Sequence, residues 1–381
     1  MRKLTLLTSV LGLLALGCQP AEKVVKIGLL LPTNASGDIA TYSKQVKNGI
    51  YLAAKLQDFR IGNRKVEFVL PEKYDGSPEH VSDALKELKE KGARVVIGPI
   101  TSAEALAMKD MVNKLRIPTF VPTATANGIT ENTDWIWRVC VTNRHMAVAS
   151  AYMAEGFLKV REAVVLKRAN DSYSKEIAED FRKWADNHGL KVVSLVVLEG
   201  ENDFPTKVRE ILSAFTIPQE STAVLAPFYY DEAAKVIRTL RDSGYVGYVL
   251  GADGWDVPSI VKRVGKPAGD NYYVTHFNHF DPIAADFVEK YQSEYKEDAS
   301  SFAALGYDAF LVVSDVIKRS RATLTADDIR TAAASIDVKG VTGNIELSST
   351  SRDPDTKSVV VMRLSDIGLQ FIRRLAISPS L

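Results

Sequence analysis

Lys26-Ile27-Gly28-Leu29-Leu30-Leu31-Pro32 is an almost unbroken apolar run ending at a proline, and the segment after it, residues 42–56, carries Val46, Ile50, Ala53 and Ala54 at helical spacing. A short run with no polar alternation is buried on both faces, as a strand inside a parallel sheet is. The following stretch has the apolar stripe of a helix that lies against such a sheet. A parallel partner cannot be reached through a tight turn, so a strand and a helix in this order call for a further strand beyond.

The chain supplies those strands downstream from here. Residues 65–70 form the next one. Pro78 opens a helix that runs through Ala84, Leu85 and Leu88 to Gly92, with proline near its start and glycine at its end. Residues 94–97 and 118–121 are the third and fourth strands, separated by a helix over 103–115. After Arg144 the alternation resumes, with strands at 163–166, 192–198, 223–225 and 248–250 and helices at 174–187, 208–215 and 231–242. Two such blocks predict two doubly wound α/β domains. The last third changes character. Helices over 284–295, 301–319 and 325–334 precede short strands at 344–347, 359–362 and 369–372, a tail to be shared between the two domains.

The chain has 381 residues, 46% hydrophobic and 25% charged, the balance of a globular protein of two ordinary domains. Its 48 basic and 47 acidic side chains give a net charge of +1, which is no footprint for nucleic acid. Arg2 and Lys3 precede an uncharged apolar run from Leu4 to Gly17, shorter than the roughly 20 residues a membrane span needs. It ends in Leu14-Ala15-Leu16-Gly17-Cys18, which resembles a bacterial lipobox. That resemblance implies a signal peptide over 1–17, lipid on Cys18, and a tether over 18–23 holding the protein close to a membrane by acyl chains. Cys140 is then the lone thiol, without an intrachain disulfide partner, in the alternating stretch 135–141 that reads as a buried strand.

Of the five histidines only His276 and His279 lie close together, and neither HExxH nor a cysteine pair accompanies them. No metal is expected. G-x-S-x-G, the P-loop and G-x-G-x-x-G are all missing, so no catalytic residue and no cofactor is assigned. In open α/β sheets ligands bind beyond the carboxyl ends of the strands, so the loops after the strands carry the information. After the third strand, Thr101 and Glu104 have capping-box spacing at a helix start, where free N–H groups suit a carboxylate, and Ser102 adds a hydroxyl. After the fourth strand, Thr123 and Thr125 make a second hydroxyl patch. After 248–250, Asp253 in Gly251-Ala252-Asp253-Gly254-Trp255 is placed to meet an ammonium.

These residues resemble the branched-chain amino-acid-binding proteins of ABC transporters, with the type I periplasmic binding fold. The resemblance is carried by 27–32 with 42–49, by Val95-Val96-Ile97-Gly98-Pro99, Pro122-Thr123-Ala124-Thr125, Trp137-Arg138, Phe204, Gly306-Tyr307-Asp308-Ala309 and Val341-Thr342-Gly343. It implies two lobes, 24–141 plus 277–350 and 142–276 plus 351–381, joined by three crossovers near 140–143, 274–278 and 345–353. It places α-carboxylate contacts at Ser102, Thr123 and Thr125 and a first aromatic wall at Tyr42. The second lobe's contacts fall at Tyr173 and at Phe228 or Tyr229, and the ammonium acceptor at Asp253. It implies a monomer, outside the cytoplasm in the periplasm or at the cell surface, that delivers an amino acid to a permease in the inner membrane. Two other readings fit the same residues: a receptor of this fold sensing amides, urea or aromatic acids, and an exported α/β enzyme.

Overall fold

The computed structural model describes residues 23–200, 203–266 and 268–378. The expected signal peptide, Cys18 and nearly all of the tether lie outside these residues. The first sheet is built from β1 (Lys23–Leu29), β2 (Arg60–Ile61), β3 (Arg64–Val69), β4 (Val95–Ile97), β5 (Thr119–Val121) and β6 (Ile136–Arg138), in the order β2-β3-β1-β4-β5-β6. All of its pairs are parallel except the β2–β3 hairpin. The helices α1 (Gly37–Lys55), α2 (Val81–Glu90), α3 (Ser102–Ala107) and α4 (Lys109–Leu115) connect these strands. In β1, Val25, Ile27 and Leu29 on one face and Gly28 on the other are buried, and β3 and β4 flank the strand.

The second unit opens with α5 (Asn143–Tyr152). It continues through β7 (Glu162–Arg168), α6 (Ser172–His188), β8 (Lys191–Leu198), α7 (Phe204–Ala214), β9 (Thr222–Leu225), α8 (Tyr230–Asp242), β10 (Tyr248–Gly251), α9 (Ile260–Val264) and β11 (Asn271–Thr275). The chain then returns to the first lobe as α10 (Ala285–Tyr295), α11 (Ser301–Arg319) and α12 (Ala326–Ala333), followed by the hairpin β12 (Ile336–Gly340) and β13 (Gly343–Leu347). Last, β14 (Val359–Ser365) and β15 (Gly368–Leu375) join the second sheet, whose order is β15-β14-β11-β10-β9-β7-β8. The two late strands pair antiparallel at its edge, whereas the other strands pair parallel. The architecture is the two-sheet α/β fold that the sequence predicts.

Some elements differ from the sequence reading. The strand expected over 135–141 is only Ile136–Arg138, because the chain leaves the sheet after Val139 to reach the second lobe. Helix α5 starts at a capping box formed by Thr142 with His145, a pairing with histidine that the usual Glu/Gln signature does not reveal. Strand β11 was also not read from the sequence.

Helices α1 and α11 lie against each other with almost no space between their backbones. A Cβ on Gly49 would come within 1.9 Å of the Ala303 carbonyl oxygen, and one on Gly306 within 2.2 Å of the Val46 carbonyl oxygen. Buried polar groups tie the crossing segments together. Asp308 accepts hydrogen bonds from the Val341 N–H (2.7 Å), the Thr342 N–H (2.9 Å) and the Thr342 hydroxyl (2.5 Å). The Lys357 ammonium donates to Thr342 Oγ1 (2.6 Å) and to the Val139 carbonyl (2.8 Å), so it links the first and third connections between the lobes. Burial lowers the Lys357 pKa to about 8, with the Asp308 charge opposing the drop.

Candidate functional site

The carboxyl ends of both sheets face each other across a cleft. From the first lobe, the turn after β4 delivers Thr101, which caps α3 through the expected box with Glu104. The Glu104 carboxyl is raised to about 7 by burial, although the bonds from Thr101 and Tyr74 favour its charged form. Ser102 follows at the first helical position. The turn after β5 delivers Thr123 and Thr125, and α1 presents Tyr42. From the second lobe, Asp171 caps α6 and sets Tyr173 on the cleft. Tyr229 sits at the start of α8, and Asp253 stands just past the end of β10.

These side chains enclose a cavity of about 20 Å3, little more than the room a single water takes on this measure. With the lobes bonded as they are, the cavity has no room for a ligand larger than water. Tyr42, Ser102, Thr123, Thr125, Tyr173, Tyr229 and Asp253 all line the cavity. Phe228, the alternative to Tyr229, does not. Its N–H bonds back to the Ala226 carbonyl at 2.9 Å and its ring is packed into the hydrophobic core. Phe302 of α11 lines the cavity too, stacked on Tyr42 with centroids 4.0 Å apart. It lies far along the chain from the strand-end loops, and nothing local in the sequence marks it as facing the cleft.

The hydroxyls differ in what they have left to offer. Ser102 Oγ accepts the Ala126 N–H at 3.1 Å and keeps its proton for another acceptor. Thr123 donates its only hydroxyl proton to the Ile100 carbonyl at 2.7 Å, so in this state it can serve a ligand only as an acceptor. The Thr125 hydroxyl has no hydrogen-bond partner among the described residues. Tyr173 and Tyr229 stack face to face, 5.3 Å apart and 5° from parallel. Burial raises both phenols well above their ordinary value, so they act as neutral hydroxyls. Asp253 is 4% exposed, with Oδ1 3.0 Å from the Tyr173 hydroxyl and Oδ2 3.1 Å from His276 Nε2. Gly254 lets its backbone pass close by: a Cβ there would lie 2.8 Å from the Phe228 carbonyl oxygen.

Contacts between the lobes close the cleft on two sides. The Tyr42 hydroxyl donates to the Gly254 carbonyl at 2.8 Å and accepts the Tyr230 N–H at 3.3 Å, and the Thr41 and Tyr230 hydroxyls lie 3.2 Å apart. On the other side, Asn127 donates its backbone N–H to Glu176 (2.7 Å) and its side-chain amide to Asp180 (2.9 Å), both carboxylates on α6. A larger hollow, about 510 Å3, lies at the opposite end of the second sheet, around Arg241, Tyr245 and Arg363. It brings together none of the cleft groups.

Two α/β lobes, each presenting strand-end loops to a shared enclosed cavity and bonded to one another around it, have the architecture of a two-lobed binding protein. The chain belongs to the periplasmic binding protein family, whose pattern matches residues 24–366. The family comprises solute-binding proteins that work outside the cytoplasm with ABC transporters. The Leu/Ile/Val-binding protein BraC3 of Rhizobium johnstonii is 29% identical over 238 residues, 61% of this chain and 62% of that protein, a match to less than two thirds of its length. The leucine-binding protein LivK of Thermotoga maritima superposes with a TM-score of 0.83 at 25% identity, covering 92% of this chain and 99% of that one. A solute-binding protein of R. palustris in complex with benzoate superposes with a TM-score of 0.80 at 23% identity, covering 93% and 97%.

Proposed function

We propose that the protein captures an amino acid between its lobes and delivers it to an ABC permease. The observation that carries this reading is the polarity of the cavity. The first lobe contributes the Ser102 and Thr125 hydroxyls at the start of α3 and the turn after β5; the second contributes the buried Asp253 carboxylate. Donors from one lobe and an anion from the other complement a zwitterion, whose carboxylate would meet the first and whose ammonium the second. Tyr42, Tyr229 and Phe302 would shape the side-chain space. The lobe contacts around Tyr42 and Asn127 would hold the liganded form that a permease recognises.

An aromatic acid is the second reading, favoured by the four aromatic walls and by the fold shared with the benzoate-bound protein. It leaves Asp253 facing a ligand that has no cation, which costs the desolvation of an unanswered charge. A thermal-shift panel of the common amino acids alongside benzoate and 4-hydroxybenzoate separates the two. A ligand at 100 times its Kd adds about 2.7 kcal/mol of stability. Shifts confined to the benzoates would sink the amino-acid reading. The membrane anchor is proposed to be lipid on Cys18. Replacing it by serine is expected to move the protein out of the detergent phase with ligand binding intact, and unchanged partitioning would remove the anchor from the proposal.

A further inference from the structure

Asp253 is gripped from behind by a residue that does not line the cavity. His276 follows directly on β11, where the chain leaves the second lobe, and it is 1% exposed. Its Nε2 stands 3.1 Å from Asp253 Oδ2. An ionised carboxylate only accepts, so this nitrogen carries the hydrogen. The other nitrogen, Nδ1, is buried with no partner. The tautomer with its hydrogen on Nε2 thus satisfies the geometry without leaving a buried N–H unpaired. Asp256 also lies within reach of the ring for a charge interaction.

The second oxygen of Asp253 is fixed with equal definition. The Gly254 N–H donates to the Tyr173 hydroxyl oxygen at 3.0 Å, which directs the single phenolic proton to Asp253 Oδ1 at 3.0 Å. Each carboxylate oxygen therefore has one protein donor, and rotating the carboxylate out of its plane would break both bonds. About four acceptor positions exist on a carboxylate, so two remain for a ligand. In the tautomer with Nδ1 bare both donors are neutral, which leaves the negative charge to a cation in the cavity.

We propose that His276 is a positioning residue for ligand recognition: through Nε2–H it fixes the Asp253 carboxylate toward the cavity and so sets the preference for ligands that carry an amine over the same carboxylates without one. This rests on the reading of Asp253 as the ammonium acceptor. It ties the amine end of the site to the segment on which the lobes pivot, since His276 belongs to the second connection.

The test compares pairs that differ only in the amine: L-alanine with propionate, L-leucine with 4-methylpentanoate, and L-phenylalanine with 3-phenylpropionate. Calorimetry on the wild-type protein is expected to show at least one pair in which the amino acid binds about 100-fold tighter or more. His276→Leu should weaken that amino acid by about tenfold or more while leaving its amine-free counterpart within about twofold, a selectivity change that mere loosening of the fold would not produce. His276→Gln places an amide nitrogen where Nε2 stands and should restore most of the preference. His276→Asn, whose amide reaches only the Nδ1 position, should not, and it carries the test if the leucine variant does not fold. In an Asp253→Asn background, His276→Leu should add nothing. If Asp253→Asn abolishes the preference and neither His276→Leu nor His276→Asn changes it, the role of His276 is overturned and the amino-acid reading stands. If no pair shows a preference for the amine in the wild-type protein, both fall together.

Discussion

Asp253 shows how one residue serves two structures at once. Read in sequence, it is a polar residue in a glycine-rich turn, placed for a ligand. In the folded protein it is buried and accepts from Tyr173 and His276. Asp253→Asn must turn an amide NH2 toward one of those two donors. Ligand affinity is expected to fall by one to three decades, because truncating one partner of a desolvated charge pair costs about 2–5 kcal/mol and 1.4 kcal/mol is tenfold. The ligand-free protein should lose about 1–3 kcal/mol as well, from the donor left facing a donor. Calorimetry checks the first effect and chemical denaturation without ligand the second. An unchanged affinity would make Asp253 a structural residue only. The hydroxyls give a parallel lesson: Ser102 and Thr123 look equivalent in sequence, but the Ile100 carbonyl has already claimed the Thr123 proton.

At the scale of elements, α1 meets two neighbours for two different reasons. Against α11 it is held by close backbone approach, with Gly49 and Gly306 as the points of contact. Gly306→Ala is expected to force the helices apart and cost about 1–3 kcal/mol, the usual range for overpacking, measured as a lower unfolding midpoint. A midpoint equal to wild type would mean that the helices adjust without strain. Across the cleft, the first turn of α1 meets the first turn of α8, where Asp38 faces Asp231. The Asp38 carboxyl is pushed up to about 7, chiefly by burial and then by the Asp231 charge, with Arg263 opposing. Parting the lobes would return it to water and toward its ordinary value of 3.8. Closure thus takes up a proton. It is least hindered below about pH 4, and the penalty grows until it is complete above about pH 7. Affinity is expected to weaken as pH rises across this window, and Asp38→Asn should flatten that slope. A wild-type profile that is flat, or a slope that the variant leaves intact, would contradict the argument.

At the scale of the whole molecule, closure depends on bonds between lobes that no single lobe can form. The Tyr42 hydroxyl answers both the Gly254 carbonyl and the Tyr230 N–H. Tyr42→Phe keeps the ring on Phe302 but leaves these two groups unpaired when the cleft shuts. At about 0.5–1.5 kcal/mol for each of the two hydrogen bonds, binding should weaken by about one to two decades. Stopped-flow measurements should place the loss in a faster dissociation rate, and a purely slower association would point away from a clasp. The same residue was legible in the sequence only as an aromatic wall, since its hydroxyl partners lie about two hundred positions away in the other lobe.

The order of strands and helices was written locally: apolar runs such as 26–31 must be buried on both faces, and helices of that spacing must cover them. That pattern determined two parallel α/β lobes and put the polar loops at the strand ends. The capping box at Thr101 and Glu104 was equally local, because its partners are three residues apart. The sequence could not say which hydroxyl protons remain free, that Tyr229 rather than Phe228 faces the cavity, that Phe302 closes it, or that His276 stands behind Asp253. Those outcomes depend on groups brought together from distant parts of the chain, where burial and competition for each donor and acceptor decide what a side chain has left for a ligand.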